Sequence, residues 1–207
     1  YRSGAIGIAL NGNVIVDTVV AQGCRPIGDV LCITKSHQNV LMELDGRPPL
    51  ESLKELFASS GHRDRELMQG SLFVGIVMDE LIDQPKHGDF LIRNLLGIDA
   101  DSGMMAVGEV LREGQIVQFH LRDSVTSADD LGKMLSHNME TQSEQSYQGA
   151  LLFSCLGRGE HLYGRPNHDS DMFKSKLGNV PLGGFFCSGE IGPISGNTFI
   201  HGYTSSF

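Results

Sequence analysis

The sequence predicts an α/β fold that leans towards α+β: mixed, mostly antiparallel sheets with few helices. Three observations predict it. Short apolar runs with strand-like alternation recur along the 207 residues and outnumber the stretches with helical spacing. Turn dipeptides, Asn11-Gly12 and Glu113-Gly114, separate neighbouring runs and join them as hairpins. Helical stripes are confined to a few places, among them the one that follows Thr126.

Taken in order, residues 4–10 and 13–20 flank Asn11-Gly12 and form a first expected hairpin, and 27–35 with 39–44 form a second. Pro48-Pro49 opens a helix, since proline suits a first turn, and Leu50, Leu53, Leu56 and Phe57 share one face. The polar stretch SSGHRDRELMQG reads as a surface connection. Strands follow near 71–78, 90–98, 103–111 and 115–122. Thr126 and Ser127, backed by Asp129 and Asp130, mark a capped helix start, and Leu131, Met134 and Leu135 supply that helix's buried stripe. A strand at 150–155, a short helix near 169–177 and strands at 182–187 and 197–203 complete the chain. NVLMELDG and its following leucines parallel IVQFHLRD with Leu131 and Met134, and GSLFVGI then falls opposite GALLFSC. An internal duplication of a hairpin–helix–strand unit and chance similarity of two amphipathic units both account for this. Duplication predicts a pseudo-symmetric pair of sheets.

Composition excludes several classes. Hydrophobic residues make up 40% and charged residues 20%, and no apolar run approaches the roughly 20 residues of a membrane helix, so no membrane insertion is expected. A net charge of −9 with scattered Arg and Lys argues against nucleic acid as a partner. The chain begins at Tyr1 with no methionine and no signal segment, which is expected of a fragment. Cys24, Cys32, Cys155 and Cys187 form no C-x-x-C pair and lie in or beside apolar runs, which points to reduced thiols and a cytoplasmic location.

The chemistry-bearing pattern is a repeated strand ending. Residues 150–155 and 182–187 each end in cysteine, and each is followed by glycines and one charge of opposite sign: Arg158 in CLGRG and Glu190 in CSGEIG. Run in parallel, the two strands deliver both loops to one sheet end, where α/β proteins place ligands. Gly157, Gly159, Gly189 and Gly192 leave room for backbone N–H groups to approach a polar or anionic ligand.

These residues also carry a resemblance. GALLFSCLGRG, PLGGFFCSGEIGP and GNTFIHGYTSSF resemble the C-terminal FIST domain, which accompanies F-box and signal-transduction proteins. AQGCRPIGDVLCITKSHQNVLMELDGRPPLESLKEL resembles the last part of the N-terminal FIST domain. The resemblance implies three parts: residues 1–58 as the end of the N-terminal domain, 59–70 as a connection and 71–207 as the C-terminal domain. It further implies an intracellular sensory module that binds a small polar ligand, with an amino acid or small carboxylate suspected, and signalling or F-box segments outside this chain. A protein-interaction or adaptor domain without ligand is the first alternative.

Several residues carry paired readings. Cys155 and Cys187 stand 32 residues apart without close-spaced partners, which disfavours a metal site, and neither metal nor cofactor is expected. Cys155 as a nucleophile, with His168 as base and Asp169 nearby, defines a thiol enzyme as the second alternative; packing as a small hydrophobe is the plainer role. Arg158 and Glu190 either pair with each other across a shared cleft or take the two ends of a ligand. His201 and Tyr203, two apart in a strand, line a pocket or pack in the core. Arg25, in a turn, is free to reach a neighbour or ligand. The candidate ligand residues are therefore Arg25, Cys155, Gly157, Arg158, Gly159, Cys187, Gly189, Glu190, His201 and Tyr203.

Overall fold

A computed structural model describes residues 4–5, 7–79, 81–141, 146–194 and 196–207. The strands are β1 (Val20–Ala21), β2 (Arg25–His37), β3 (Val40–Leu44), β4 (Leu72–Val77), β5 (Phe90–Ile98), β6 (Met105–Val107), β7 (Ile116–Leu121), β8 (Ala150–Cys155), β9 (Leu182–Cys187), β10 (Glu190–Ile194), β11 (Asn197–His201) and β12 (Ser205–Ser206). The helices are α1 (Pro49–Ser59), α2 (His62–Met68), α3 (Ser124–Thr141), α4 (Glu160–Tyr163) and α5 (His168–Leu177), with a 3-10 turn at Leu156–Arg158.

Two bodies result. Strands β2-β3-β6-β5-β4-β7 close into a barrel whose pairs are all antiparallel. Closure removes the free edges that a six-stranded open sheet would expose. Its interior is apolar: Ile33, Leu41, Leu44, Val74, Ile76, Met105, Val107, Val117 and Phe119 are buried together, and Leu50, Leu53 and Leu56 of α1 pack against them. The second body is a four-stranded sheet, β1-β12-β8-β9, covered by α3 and α5 through Leu131, Leu135 and Phe173. Within it β8 and β9 form the parallel pair, in register from Ala150 opposite Leu182 to Cys155 opposite Cys187. Hairpin β10-β11 lies beside it.

The mixed, mostly antiparallel architecture is present, and strands 150–155 and 182–187 keep the bounds expected of them. Elsewhere the structure corrects the sequence reading. No strand forms over residues 7–19, and residue 6 of the expected first hairpin lies outside the described residues. The apolar side chains there find nothing to cover them, Ile8 being 84% and Ile15 71% exposed, and an isolated hairpin is marginal in water. The 59–70 stretch carries helix α2, tied to the end of α1 by Arg65, which donates to the carbonyls of Phe57 and Ala58. Phe57 is exposed under Arg65 instead of sharing the buried face of α1. Helix α3 starts at Ser124, and the Asp123 carboxylate accepts the Thr126 N–H at 2.6 Å, so Asp123 takes the capping role assigned to Thr126 and Ser127. Two pseudo-symmetric sheets are not shown: β4 and β7 pair within one barrel, while β8 belongs to the other sheet.

Candidate functional site

The parallel pair β8/β9 brings Cys155 and Cys187 side by side at one sheet end, where the chain from β8 turns into the 3-10 segment and α4. The Cys155 side chain caps that turn, its Sγ accepting the Gly157 N–H at 3.4 Å. Arg158, the last residue of the turn, points inward and is only 2% exposed. Its partner is Asp169 at the start of α5, with Nε to Oδ2 at 2.8 Å and Nη2 to Oδ1 at 3.3 Å. Nη2 also reaches the Ser127 carbonyl at 3.4 Å. Burial alone would raise the Asp169 carboxyl, but hydrogen bonding and the charge of Arg158 outweigh it and hold it below the ordinary carboxylate range. Asp169 further accepts from Ser154 at 3.2 Å and pairs with His168 at 3.0 Å, whose ring stacks on Tyr163 at 3.6 Å.

Arg158 leads on to a second chain of contacts. Ser127 donates to the Gly23 carbonyl at 2.9 Å, the Gly23 N–H donates to Asp130 at 2.8 Å, and Asp130 meets His87 at 2.6 Å. Gly23 has φ +71, and a Cβ there would stand 2.6 Å from Arg158 Nη1, so only glycine fits. Cys24, fully buried beside it, has its thiol pushed up to about 12 by burial.

Arg122, directly after β7, approaches from the barrel side. Its Nη2 donates to the Gly157 carbonyl at 2.7 Å, and its guanidinium lies over the Tyr203 ring at 5.0 Å. A Cβ on Gly157 would meet Arg122 Nη1 at 3.4 Å and Cys155 Sγ at 3.6 Å, so the glycine keeps open the space between guanidinium and thiol. Several buried polar atoms in this region have no hydrogen-bond partner, namely Arg122 Nε, Arg158 Nη1 and Glu190 Oε1, whereas the Tyr163 and Ser205 hydroxyls interact with the Asp169 carboxylate. Buried polar atoms are normally satisfied, so a cluster of exceptions points to something that completes it. A cavity of about 470 Å³ opens beside the site, bounded by Ser154, Arg158, Gly159, His168 and Asp169, with Gly183 and Gly184 of β9. Its size suits a small molecule. A second cavity, about 460 Å³, lies along α5 between Asn167 and Leu182 and carries none of these groups except that helix start.

Residues 49–193 match the FIST C domain family and residues 1–47 match the FIST N domain family. The chain belongs to the FIST family. FIST domains are sensory and signalling modules. An uncharacterized protein of Mycobacterium tuberculosis is 42% identical over 204 residues, which cover 99% of this chain and 53% of that protein. An uncharacterized Mycobacterium bovis protein is 41% identical, with 99% and 52% covered. An F-box/LRR-repeat protein of Arabidopsis thaliana is 25% identical over 142 residues, covering 61% of this chain and 27% of that protein. The chain spans about half the length of the mycobacterial relatives it matches.

Within this FIST chain the expected ligand residues do not all converge. Cys155, Gly157, Arg158 and Gly159 sit around the turn after β8, and Cys187 stands opposite Cys155. Glu190 is not on a loop: it opens β10, is 3% exposed, and accepts the Thr204 hydroxyl at 2.7 Å. Burial raises its carboxyl above the ordinary range, and Arg158 is near enough to pull it partly back. The expected Arg158–Glu190 pair is therefore replaced by Arg158–Asp169. Arg25 is bound to Asp64 of α2. β11 ends at His201, which bonds to the Gly192 carbonyl at 3.1 Å. Tyr203 lies beyond it with φ +67, which breaks the alternation that would put both residues on one face; its hydroxyl donates to Asn94. A Cβ on Gly189 would only touch the His201 carbonyl at 3.8 Å, so nothing there demands glycine. His168 is held by Asp169 on the Ser154 side of β8, and residue 155 faces the other way, so the expected base does not serve Cys155. Among the described residues no cluster of three or more His, Cys, Asp or Glu could hold a metal ion. Sequence reasoning missed Arg122, Asp130, Tyr163 and Thr204; LRD gave no local motif for Arg122, whose role depends on the barrel end meeting the second sheet.

Proposed function

We propose that this chain is the ligand-holding part of an intracellular sensory module, taking a small polar molecule where β8 and β9 end. The observation that carries this reading is the group of unpartnered buried atoms on Arg122, Arg158 and Glu190. Each such group left unsatisfied costs about 1–3 kcal/mol, so a ligand that meets several of them gains differentially over water. Amino acids and small carboxylates offer complementary oxygens. The test is a thermal-shift screen of amino acids, small carboxylates and neutral polar molecules on the full-length protein. A ligand at a hundredfold its dissociation constant adds about 2.7 kcal/mol, a readily measured rise in Tm. Flat responses across the panel would end the ligand reading.

A protein-interaction role is the second reading, and one observation favours it. Phe185 of β9 is 65% exposed, and Leu151 of the paired strand β8 is exposed as well. Apolar surface of this kind suits a protein partner, and F-box proteins are among the relatives.

A further inference from the structure

Resting on that ligand reading, we infer that the ligand carries a single negative charge, as a carboxylate or similar planar oxyanion, and that Arg122 is the residue that takes it. The sequence pattern assigns Arg122 no role, yet among the described residues it is the cation of this region that lacks an anion. Arg158 is neutralised by Asp169 at 2.8 Å. Asp130 is taken by His87 and the Gly23 N–H. Asp123, the neighbour in sequence, is taken by Arg63. Among the described residues no carboxylate lies within ion-pair distance of Arg122, which contacts the Gly157 carbonyl and the Tyr203 ring.

A guanidinium cannot shed its proton to escape this situation. Burial and then the charge of Arg158 both act against the charged form of Arg122, with only part of that opposed by the nearby thiols and Tyr163. The groups that could answer it from within stay neutral at neutral pH: the Cys24 thiol is pushed up to about 12, and Tyr163 and Tyr203 are pushed above the ordinary phenol range, all chiefly by burial. Arg122 Nε is buried and unpartnered, and so is Arg158 Nη1, which is aimed at Gly23. One uncompensated cation calls for one negative charge, and planar N–H donors suit a planar pair of oxygens.

The experiment compares charge-matched probes on the full-length protein: propionate against propionamide, lactate against lactamide, and inorganic phosphate. The expected result is a saturable Tm rise with the carboxylates and none with the amides. Arg122→Gln should abolish that rise while the unliganded Tm holds or increases, because a buried charge without partner has been removed. Arg122→Lys, which keeps the charge and loses the fork, should weaken carboxylate binding by roughly tenfold or more, the loss of one charge-assisted hydrogen bond. If the amides, or another neutral molecule of the wider panel, raise Tm as much as the carboxylates, the anion is wrong and the sensory reading survives. If phosphate alone binds, the single-charge carboxylate class is wrong. If no molecule in any class binds, both readings fall. A lower Tm for unliganded Arg122→Gln with carboxylate binding retained makes Arg122 a structural hook on Gly157 and overturns the inference. Thiolate absorbance at neutral pH that disappears in Cys155→Ser also overturns it, since the missing charge would then be internal.

Discussion

The barrel and the β8/β9 sheet solve the burial problem in opposite ways. Inside the barrel, the clustered buried side chains are all apolar; His120 alternates to the opposite face of β7, against Phe90 and Gly75, with its pKa pulled to about 4 by burial and its Nδ1 bonded to the Gln118 carbonyl. The second body and its adjoining hairpin bury Arg158, His168, Asp169, Glu190, His201 and Thr204. Apolar packing needs no partner geometry beyond fit, whereas each buried charge needs a named neighbour. A region that accepts such constraints has less stability to spare and more chemistry to offer. The barrel is therefore the scaffold, and the junction is where binding would be felt.

The largest expected effect breaks the Arg158–Asp169 pair. Asp169→Ala leaves a buried guanidinium without its carboxylate and should cost about 3–5 kcal/mol. Leu41→Ala in the barrel should cost about 2–5 kcal/mol through lost burial and a cavity. The two costs overlap in size, so pH separates them. The folded-state pKa of Asp169 is depressed, so its contribution is fully present above the unfolded value of about 3.9 and is lost as pH falls through the lower folded value. In urea titrations at several pH values, the Asp169→Ala penalty should shrink below about pH 4, and the Leu41→Ala penalty should stay constant. A pH-independent Asp169→Ala penalty would show that the pair is packing, not charge.

Two glycines sharpen the same comparison. Gly23 (φ +71) and Gly46 (φ +78) share a left-handed backbone, but a Cβ at Gly46 meets nothing within 4 Å. Gly46→Ala should cost about 1–2 kcal/mol of backbone strain. Gly23→Ala adds a collision with Arg158 Nη1 and Ser127 Oγ and should cost clearly more, because displacing Arg158 disturbs its bond to Asp169. Equal losses in thermal or urea unfolding would mean that Arg158 has room to move aside.

What the sequence made legible follows from range. The strands at 150–155 and 182–187 were readable because apolar alternation and flanking glycines are local, and their in-register parallel pairing places Cys155 opposite Cys187 as the repeated pattern implied. Partner choice was not local. Arg158 and Glu190 look matched because each stands third after a cysteine, yet Asp169, eleven residues on, reaches Arg158 from the first turn of α5, where a carboxylate is also favoured by the helix dipole. The hairpin at 4–20 fails for the opposite reason: its alternation is strong, but strand formation needs a covering surface that alternation cannot report. Arg122 was invisible because its environment is assembled from β7, the turn after β8 and Tyr203, far apart in the chain.

The smallest expected effect concerns Glu190, and its sign decides what that carboxylate is for. With Asp169 holding Arg158, removing the Glu190 charge strands no partner. Burial raises the Glu190 carboxyl, the Thr204 hydrogen bonds and the Arg158 charge opposing it only in part. A raised folded-state pKa means that its contribution is fully present below the unfolded value of about 4.3 and is lost as pH rises through the folded value. Glutamine keeps an acceptor for Thr204 and adds an N–H donor at the unpartnered Oε1 position without a charge to desolvate. Glu190→Gln should therefore match or exceed the parent protein in Tm at neutral pH, and the gap should close as pH is lowered towards 4. A ligand bearing an ammonium group, by contrast, would need the ionised carboxylate, and such a ligand should lose affinity in Glu190→Gln at unchanged Tm. If the variant instead loses stability at neutral pH and that loss shrinks as pH falls below about 4, Glu190 is ionised and partnered in the fold, and the contrast between a satisfied barrel and an unsatisfied junction weakens at that position.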